Sequence, residues 1–324
     1  MMKKKGYVAY CCRANVPLFL TPDWLDAVCG ESNWDVVTYE SGGRIIGALP
    51  YYIYRGAKTG LKYITQPPMT QFMGPWIIYP DGSSDSKKRE LEKEVCSSLI
   101  EQLEQIPGID FFEQNFSPAI TNWQPFYWKG YRQTTRYTYR ISPVPQEELL
   151  KNLFPDNRRL LKKAEGHDFT LDFNLSATEF FGIHSTFLTK RKDTISYSAD
   201  LLQRIDRVIR ERKCGEFVCV RNREGCVAAA ALFVRDSRTA YMLISAFDRH
   251  QSQIGAAAYL VVEAIRRYTA QGLTFDFEGS MIESVEQAYR RYGSIQTPYF
   301  KISKILTRNP LKRFLFHLRN GDLQ

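Results

Sequence analysis

Two carboxylates close an apolar strand and run straight into a glycine–serine turn: Phe275-Asp276-Phe277-Glu278-Gly279-Ser280. Arg290, Arg291, Tyr299 and Lys301 follow soon after, making this the densest run of chemistry-bearing residues in the chain. Strand alternation puts Phe275 and Phe277 on one face and Asp276 and Glu278 on the other. Buried lone charges are costly, so these carboxylates need partners, and Arg290 and Arg291 are the cations expected to supply them. One reading is a structural carboxylate–arginine network. The other is a general base that takes a proton from an attacking amine while cations position an anionic substrate.

A second cluster lies in residues 157–165. At about 100° per residue, Arg158, Arg159, Lys162 and Lys163 share one side of this helix, and Leu160, Leu161 and Ala164 share the other. Pro155 is expected to stop a preceding helix over 147–154, Asp156 to cap this one and Gly166 to end it. Like charges one turn apart repel, so the cationic face calls for an anionic partner. Residues 1–150 hold 16 Lys/Arg and 16 Asp/Glu; residues 151–324 hold 28 and 19, so the whole excess of +9 sits in the second part. Nucleotide, pyrophosphate, RNA and acidic lipid are the partner classes this favours.

Other chemistries find little support. The chain lacks G-x-S-x-G, G-x-x-x-x-G-K-[ST], H-E-x-x-H and G-x-G-x-x-G sequences. Its four histidines stand without partners in register, and its seven cysteines include no C-x-x-C pair, so neither a metal site nor a disulfide framework is expected. The longest apolar runs, Val227–Val234 and Ala256–Val262, are eight and seven residues, against the ~20 that a bilayer span needs. The start of the chain has no apolar stretch of secretory type, which gives the expectation of a cytoplasmic protein.

The elements that must position these clusters repeat. Trp34–Arg55 and Glu216–Arg235 both read as strand, glycine turn, strand. Further strands are expected at Pro75–Tyr79 and Thr239–Phe247, then helices at Ser86–Gln105 and Gly255–Gln271. Apolar strands ending in acid follow at Ile109–Glu113 and Leu273–Glu278, then aromatic–basic turns and strands at Phe126–Ile141 and Ala288–Ile302. Glu113 and Glu278 stand 165 apart and Gly130 and Gly293 163 apart, whereas Gly43 and Gly225 stand 182 apart, which places extra residues in the loop Gly56–Gly74. The expectation is an α/β protein with mixed sheets made of two copies of one unit, 1–145 and 146–324, with a hinge at Ser142–Gln146.

The block Asp276-Phe277-Glu278-Gly279-Ser280, then Tyr289-Arg290-Arg291-Tyr292-Gly293 and Pro298-Tyr299, resembles the FemAB-like branch of the GNAT N-acyltransferase superfamily. The basic stretch Arg158–Ala164 and the run Gln66-Pro67-Pro68-Met69-Thr70-Gln71-Phe72-Met73-Gly74 look like the same family. The resemblance spans nearly the whole chain. It implies tandem GNAT-like units with a cleft between them, an acceptor side in the first and a donor side in the second. It also implies transfer of an acyl or aminoacyl group to an amine, in Fem-type members from charged tRNA to peptidoglycan precursors of the cell wall.

On that basis Glu278 and Asp276 are expected to hold or deprotonate the amine, and Tyr299 and Ser280 to donate hydrogen bonds. Lys301, with Lys304 three residues on, best matches a lysine that assists the transfer centre in Fem-type enzymes, and is expected to steady the oxyanion. Arg158, Arg159, Lys162 and Lys163 would receive phosphates. No resident cofactor is expected; the donor is aminoacyl-tRNA or an acyl-coenzyme A. Gly255 and Ala257 fit the end of a GNAT pyrophosphate loop, but Ser252 stands where Arg or Gln is usual. Residues 178–213 have room for two ordinary helices and no coiled-coil arm. The tail Lys304–Gln324 reads as a basic amphipathic helix that docks on its own protein or meets the inner face of a membrane near a nucleotide- or lipid-linked acceptor. A non-catalytic nucleotide- or RNA-binding module is the reading from another class.

Overall fold

The glycine hairpins and apolar helix stripes form where their periodicity places them. The computed structural model describes residues 2–57 and 59–319 and divides into two units, Met1–Arg136 with Pro298–Gln324, and Tyr137–Thr297. The chain begins with α1 (Met2–Ala14), α2 (Pro22–Cys29), β1 (Trp34–Ser41), β2 (Arg44–Arg55), β3 (Lys62–Thr65) and β4 (Trp76–Ile77). It continues through α3 (Asp85–Glu104), β5 (Phe111–Asn115), α4 (Gln124–Trp128) and β6 (Arg132–Ile141). The next elements are α5 (Gln146–Asn152), α6 (Pro155–Glu165), β7 (Thr170–Asp172), α7 (Ala177–Thr189) and α8 (Ala199–Arg212). Then come β8 (Gly215–Arg221), β9 (Val227–Arg235), β10 (Thr239–Phe247), α9 (Arg249–Gln253) and α10 (Ala256–Thr269). The chain ends with β11 (Thr274–Asp276), α11 (Glu283–Arg290), β12 (Ile295–Ile305) and α12 (Pro310–Arg319).

In the first unit the hairpin β1–β2 turns through Gly42 and Gly43, both at positive φ, as a tight two-residue turn demands. β2 pairs with β3 and β4, β3 runs parallel to β5, and β5 pairs antiparallel with β12. α3 starts at Ser84, whose hydroxyl accepts the Lys87 N–H, and buries Val95, Leu99, Ile100 and Leu103. Fully burying each such side chain is worth about 1.5–3 kcal/mol.

In the second unit the order is β6-β11-β10-β9-β8-β7. Ala228–Ala231 in β9 are wholly buried, with α7 and α10 both contacting the strand. Cover on both faces explains why β9 reads as a continuous apolar run and not as an alternation.

The division differs from 1–145 and 146–324 because the two copies exchange their last strands. β6, at the end of the first copy, pairs with β11 (Asp276↔Arg140), and β12, at the end of the second, pairs with β5 (Lys301↔Asn115). Either strand could satisfy either edge's backbone groups; the ion pairs Arg140–Asp276 and Lys301–Glu113 across the two pairings favour the observed choice. The stretch 56–74 is also more than an added loop, since it contains β3, the counterpart of β10. Pro155 opens α6 instead of stopping α5: Phe154 takes the cap position and Pro155 the first turn, where its missing N–H costs nothing. α7 and α8 are the two helices expected within 178–213. No helix among the described residues is long and apolar enough to cross a membrane.

Candidate active site

The site in the second unit is built where β11 ends. Asp276 is wholly buried there. Its Oδ1 accepts from Thr138 Oγ1 at 2.5 Å and from the Glu278 backbone N–H at 2.7 Å, and its Oδ2 accepts from Arg140 Nε at 2.6 Å. Thr138 and Arg140 lie on one face of β6, and Arg140 is the register partner of Asp276. Arg140, not Arg290 or Arg291, therefore neutralises this carboxylate. Arg290 pairs with Glu286 at 3.2 Å, and Arg291 offers its carbonyl to the Phe154 N–H at 2.9 Å.

The Asp276 carboxylate shapes the turn that follows. Glu278 has φ +64° and Gly279 φ +66°. A left-handed glutamate costs about 1–2 kcal/mol, and the Asp276–Glu278 N–H bond offsets part of it. At Gly279 a Cβ would meet the Tyr137 carbonyl oxygen at 2.3 Å, so only glycine lets the turn lie against β6. Phe277 stacks on Tyr289 at 4.8 Å and Tyr292 at 5.5 Å, fixing the turn against α11. Burial, and then the Asp276 charge, push the Glu278 carboxyl well above the usual carboxylate range. Burial, Glu278 and Asp276 push the Tyr289 phenol up to about 12. Ser280 Oγ accepts the Ile282 N–H at 3.0 Å and keeps its own proton to donate.

Lys301 and Tyr299 belong to the first unit. Lys301 Nζ lies 2.7 Å from Glu113 Oε2, and buried Tyr299 meets Phe72 edge-on at 5.1 Å. Lys304, the neighbouring alternative, is held by Glu104 at 2.6 Å. The run Gln66–Gly74 forms a braced loop in the same unit. Gln66 accepts the Asn115 N–H at 3.0 Å and donates to the Thr70 carbonyl at 2.9 Å, and the Trp24 indole donates to Thr70 Oγ1 at 3.0 Å.

The expected pyrophosphate loop lies after β10, which ends at Phe247, six residues past the last pairing with β11 at Tyr241. Asp248 caps α9 there, accepting the N–H groups of His250 and Gln251 at 2.9 and 3.2 Å and pairing with Lys190 at 3.2 Å. Burial works against its charge, but those N–H groups and Lys190 outweigh it and hold the carboxyl below its ordinary value. Gly255 has φ +101°, and a Cβ would meet the Leu160 carbonyl oxygen at 2.1 Å. Its lack of a side chain lets α6 pack on the start of α10; half-buried Ala257 follows in the first turn of α10. Arg158, Arg159, Lys162 and Lys163 are all exposed on α6, with Arg159 paired to Asp156 at 2.9 Å. Among the described residues, no group of His, Cys, Asp or Glu is arranged to hold a metal ion.

Asp276 and Glu278 are thus brought together, with Thr138 and Arg140 as partners the segment itself does not contain, while Ser280 bonds locally to Ile282. Their signal is the alternation Tyr137-Thr138-Tyr139-Arg140-Ile141 at the end of β6, which puts Thr138 and Arg140 on one face.

No curated protein sequence matches the chain. Residues 154–291 match the Acetyltransferase (GNAT) domain family. Among solved structures, FemX superposes with a TM-score of 0.70 at 11% identity, covering 95% of this chain and 97% of its own. The C-terminal domain (DUF2156) of an Agrobacterium fabrum protein described as a lysylphosphatidylglycerol synthetase has a TM-score of 0.56 at 11% identity, covering 99% and 96%. L-PGS from Bacillus licheniformis has 0.53 at 11% identity, covering 92% and 91%. The chain thus carries, in residues 154–291, a stretch similar to the GNAT acetyltransferase domain, within a fold like that of FemX.

Proposed function

We propose that this chain transfers an aminoacyl group from charged tRNA to an amine of a cell-wall or cell-surface precursor. The observation that carries the reading is the Glu278 carboxyl, held in a left-handed turn and shifted well above the usual carboxylate range. Such a group is a stronger base than an ordinary carboxylate, suited to taking the proton that an attacking amine gives up. The neutral amine attacks the ester carbonyl carbon, its nitrogen gives one proton to Glu278 as the carbon–nitrogen bond forms, the carbon–oxygen bond to the tRNA 3′ end breaks, and that proton passes to the departing oxygen. Asp276 is a positioning residue: with Arg140 it fixes the backbone of Glu278. Ser280 donates a hydrogen bond.

The exposed cations of α6, packed on the start of α10, support a polyanionic donor, as does a fold shared with FemX and L-PGS. The acceptor is nucleotide- or lipid-linked, and the basic tail offers a membrane contact beside it. RNase-sensitive transfer of labelled amino acids from charged tRNA, absent with Glu278→Ala, is the test.

An acyl-coenzyme A donor is the second reading, favoured by the domain match and the small first turn Ala256–Ala258 of α10. Saturable coenzyme A binding would support it.

A further inference from the structure

Helix α12 packs within the first unit through Lys312 and Phe316. Phe316 is 3% exposed, stacked on Phe111 at 5.2 Å and edge-on to Tyr63 at 5.9 Å. Lys312 Nζ pairs with Asp110 at 2.9 Å. At about 100° per residue, Phe314 lies about 160° from both Lys312 and Phe316, on the far side of the helix. Phe314 is 58% exposed and Leu311 68%. Tyr54, whose ring lies 6.2 Å from that of Tyr63, is also exposed. Arg308, Arg313 and Arg55 are exposed cations of the same unit. Residues 301–319 contain Lys301, Lys304, Arg308, Lys312, Arg313 and Arg319 and no Asp or Glu.

We infer that this outer face of α12 docks on the surface of an anionic phospholipid bilayer, with Leu311 and Phe314 entering the interface and Arg308 and Arg313 facing the headgroups. An apolar ridge rimmed by cations is what such a surface selects. A second copy of the chain fits worse, because a two-fold contact would bring both sets of arginines together. A nucleic-acid backbone gives Leu311 and Phe314 nothing to bury against. Of the tail expected over Lys304–Gln324, α12 docks on its own protein and leaves Leu311, Arg313 and Phe314 exposed; residues 320–324 lie outside the described residues. The inference rests on the aminoacyl-transfer reading only for the class of acceptor, a lipid-linked one.

The test sediments the full chain with vesicles of phosphatidylcholine alone and with phosphatidylglycerol added. The chain is expected to follow the anionic vesicles only. Leu311→Glu with Phe314→Glu, and separately Arg308→Glu with Arg313→Glu, are each expected to weaken that binding about tenfold or more. Unchanged melting curves would show the variants folded; should the first pair unfold, Phe314→Ser alone serves. Failure to sediment with anionic vesicles, or equal binding by folded variants, overturns the inference. So does a dimer in light scattering that Phe314→Glu splits. Binding is read without donor or acceptor: vesicle binding without transfer from any donor would count against the transfer reading alone. Transfer to a water-soluble acceptor without vesicle binding would count against the docking alone.

Discussion

Arg140 Nε lies 2.6 Å from Asp276 Oδ2, and the same carboxylate accepts the Glu278 N–H at 2.7 Å. One buried ion pair therefore sets the backbone of the proposed base. Asp276→Ala strands a largely buried guanidinium and should cost about 3–5 kcal/mol. Denaturant unfolding measures this, and a loss under about 1 kcal/mol would show that the pair does not brace the turn.

Glu278 gives a prediction in pH. Its folded carboxyl titrates well above the unfolded one, so between those values the native state holds a proton the unfolded state has lost. Stability should therefore be complete below the ordinary carboxylate range and fall as pH rises through the folded value. Glu278→Gln should lack that fall while losing the rising limb of the transfer rate and about 10²–10⁴ in turnover. Parallel melting curves and rate profiles for the two proteins check both halves.

Gly255 separates packing from cofactor binding. Gly255→Ala should lower the melting temperature without any donor present, because a Cβ there meets the Leu160 carbonyl. Unchanged melting, together with abolished coenzyme A affinity, would return this glycine to the pyrophosphate loop.

Reversing Arg158, Arg159, Lys162 and Lys163 to glutamate should leave the fold intact, since all four are exposed. Affinity for tRNA should drop, and the slope of log K against log salt should flatten by about 0.7–0.9 for each phosphate no longer neutralised. Filter binding across a salt series reads this directly. An unchanged slope would place the RNA elsewhere.

What the sequence shows of this fold follows from periodicity. Both hairpins, α3, α10 and the cationic face of α6 stand where alternation and helical spacing put them. The exchange of β6 and β12 was illegible, because a strand carries the same pattern whichever edge it joins. Tertiary charge pairs such as Arg140 with Asp276 and Lys301 with Glu113 mark the observed arrangement. β3 was missed because four residues in a glycine-rich stretch carry too little alternation. Within the site, Asp276 and Glu278 were legible as paired carboxylates at a strand end. Their separation into a satisfied brace and a desolvated base depended on Arg140, 136 residues away along the chain.

The central claim, aminoacyl transfer using Glu278 as base, is tested most directly by one assay with two donor pools. Charged tRNA carrying radioactive amino acids and a mixture of acyl-coenzyme A thioesters would each meet the protein and extracted cell-wall precursors, with Glu278→Ala as the blank. The account predicts RNase-sensitive label in the precursors from the first pool and none with the variant. Label from the thioester pool alone, or equal transfer by Glu278→Ala, would contradict it.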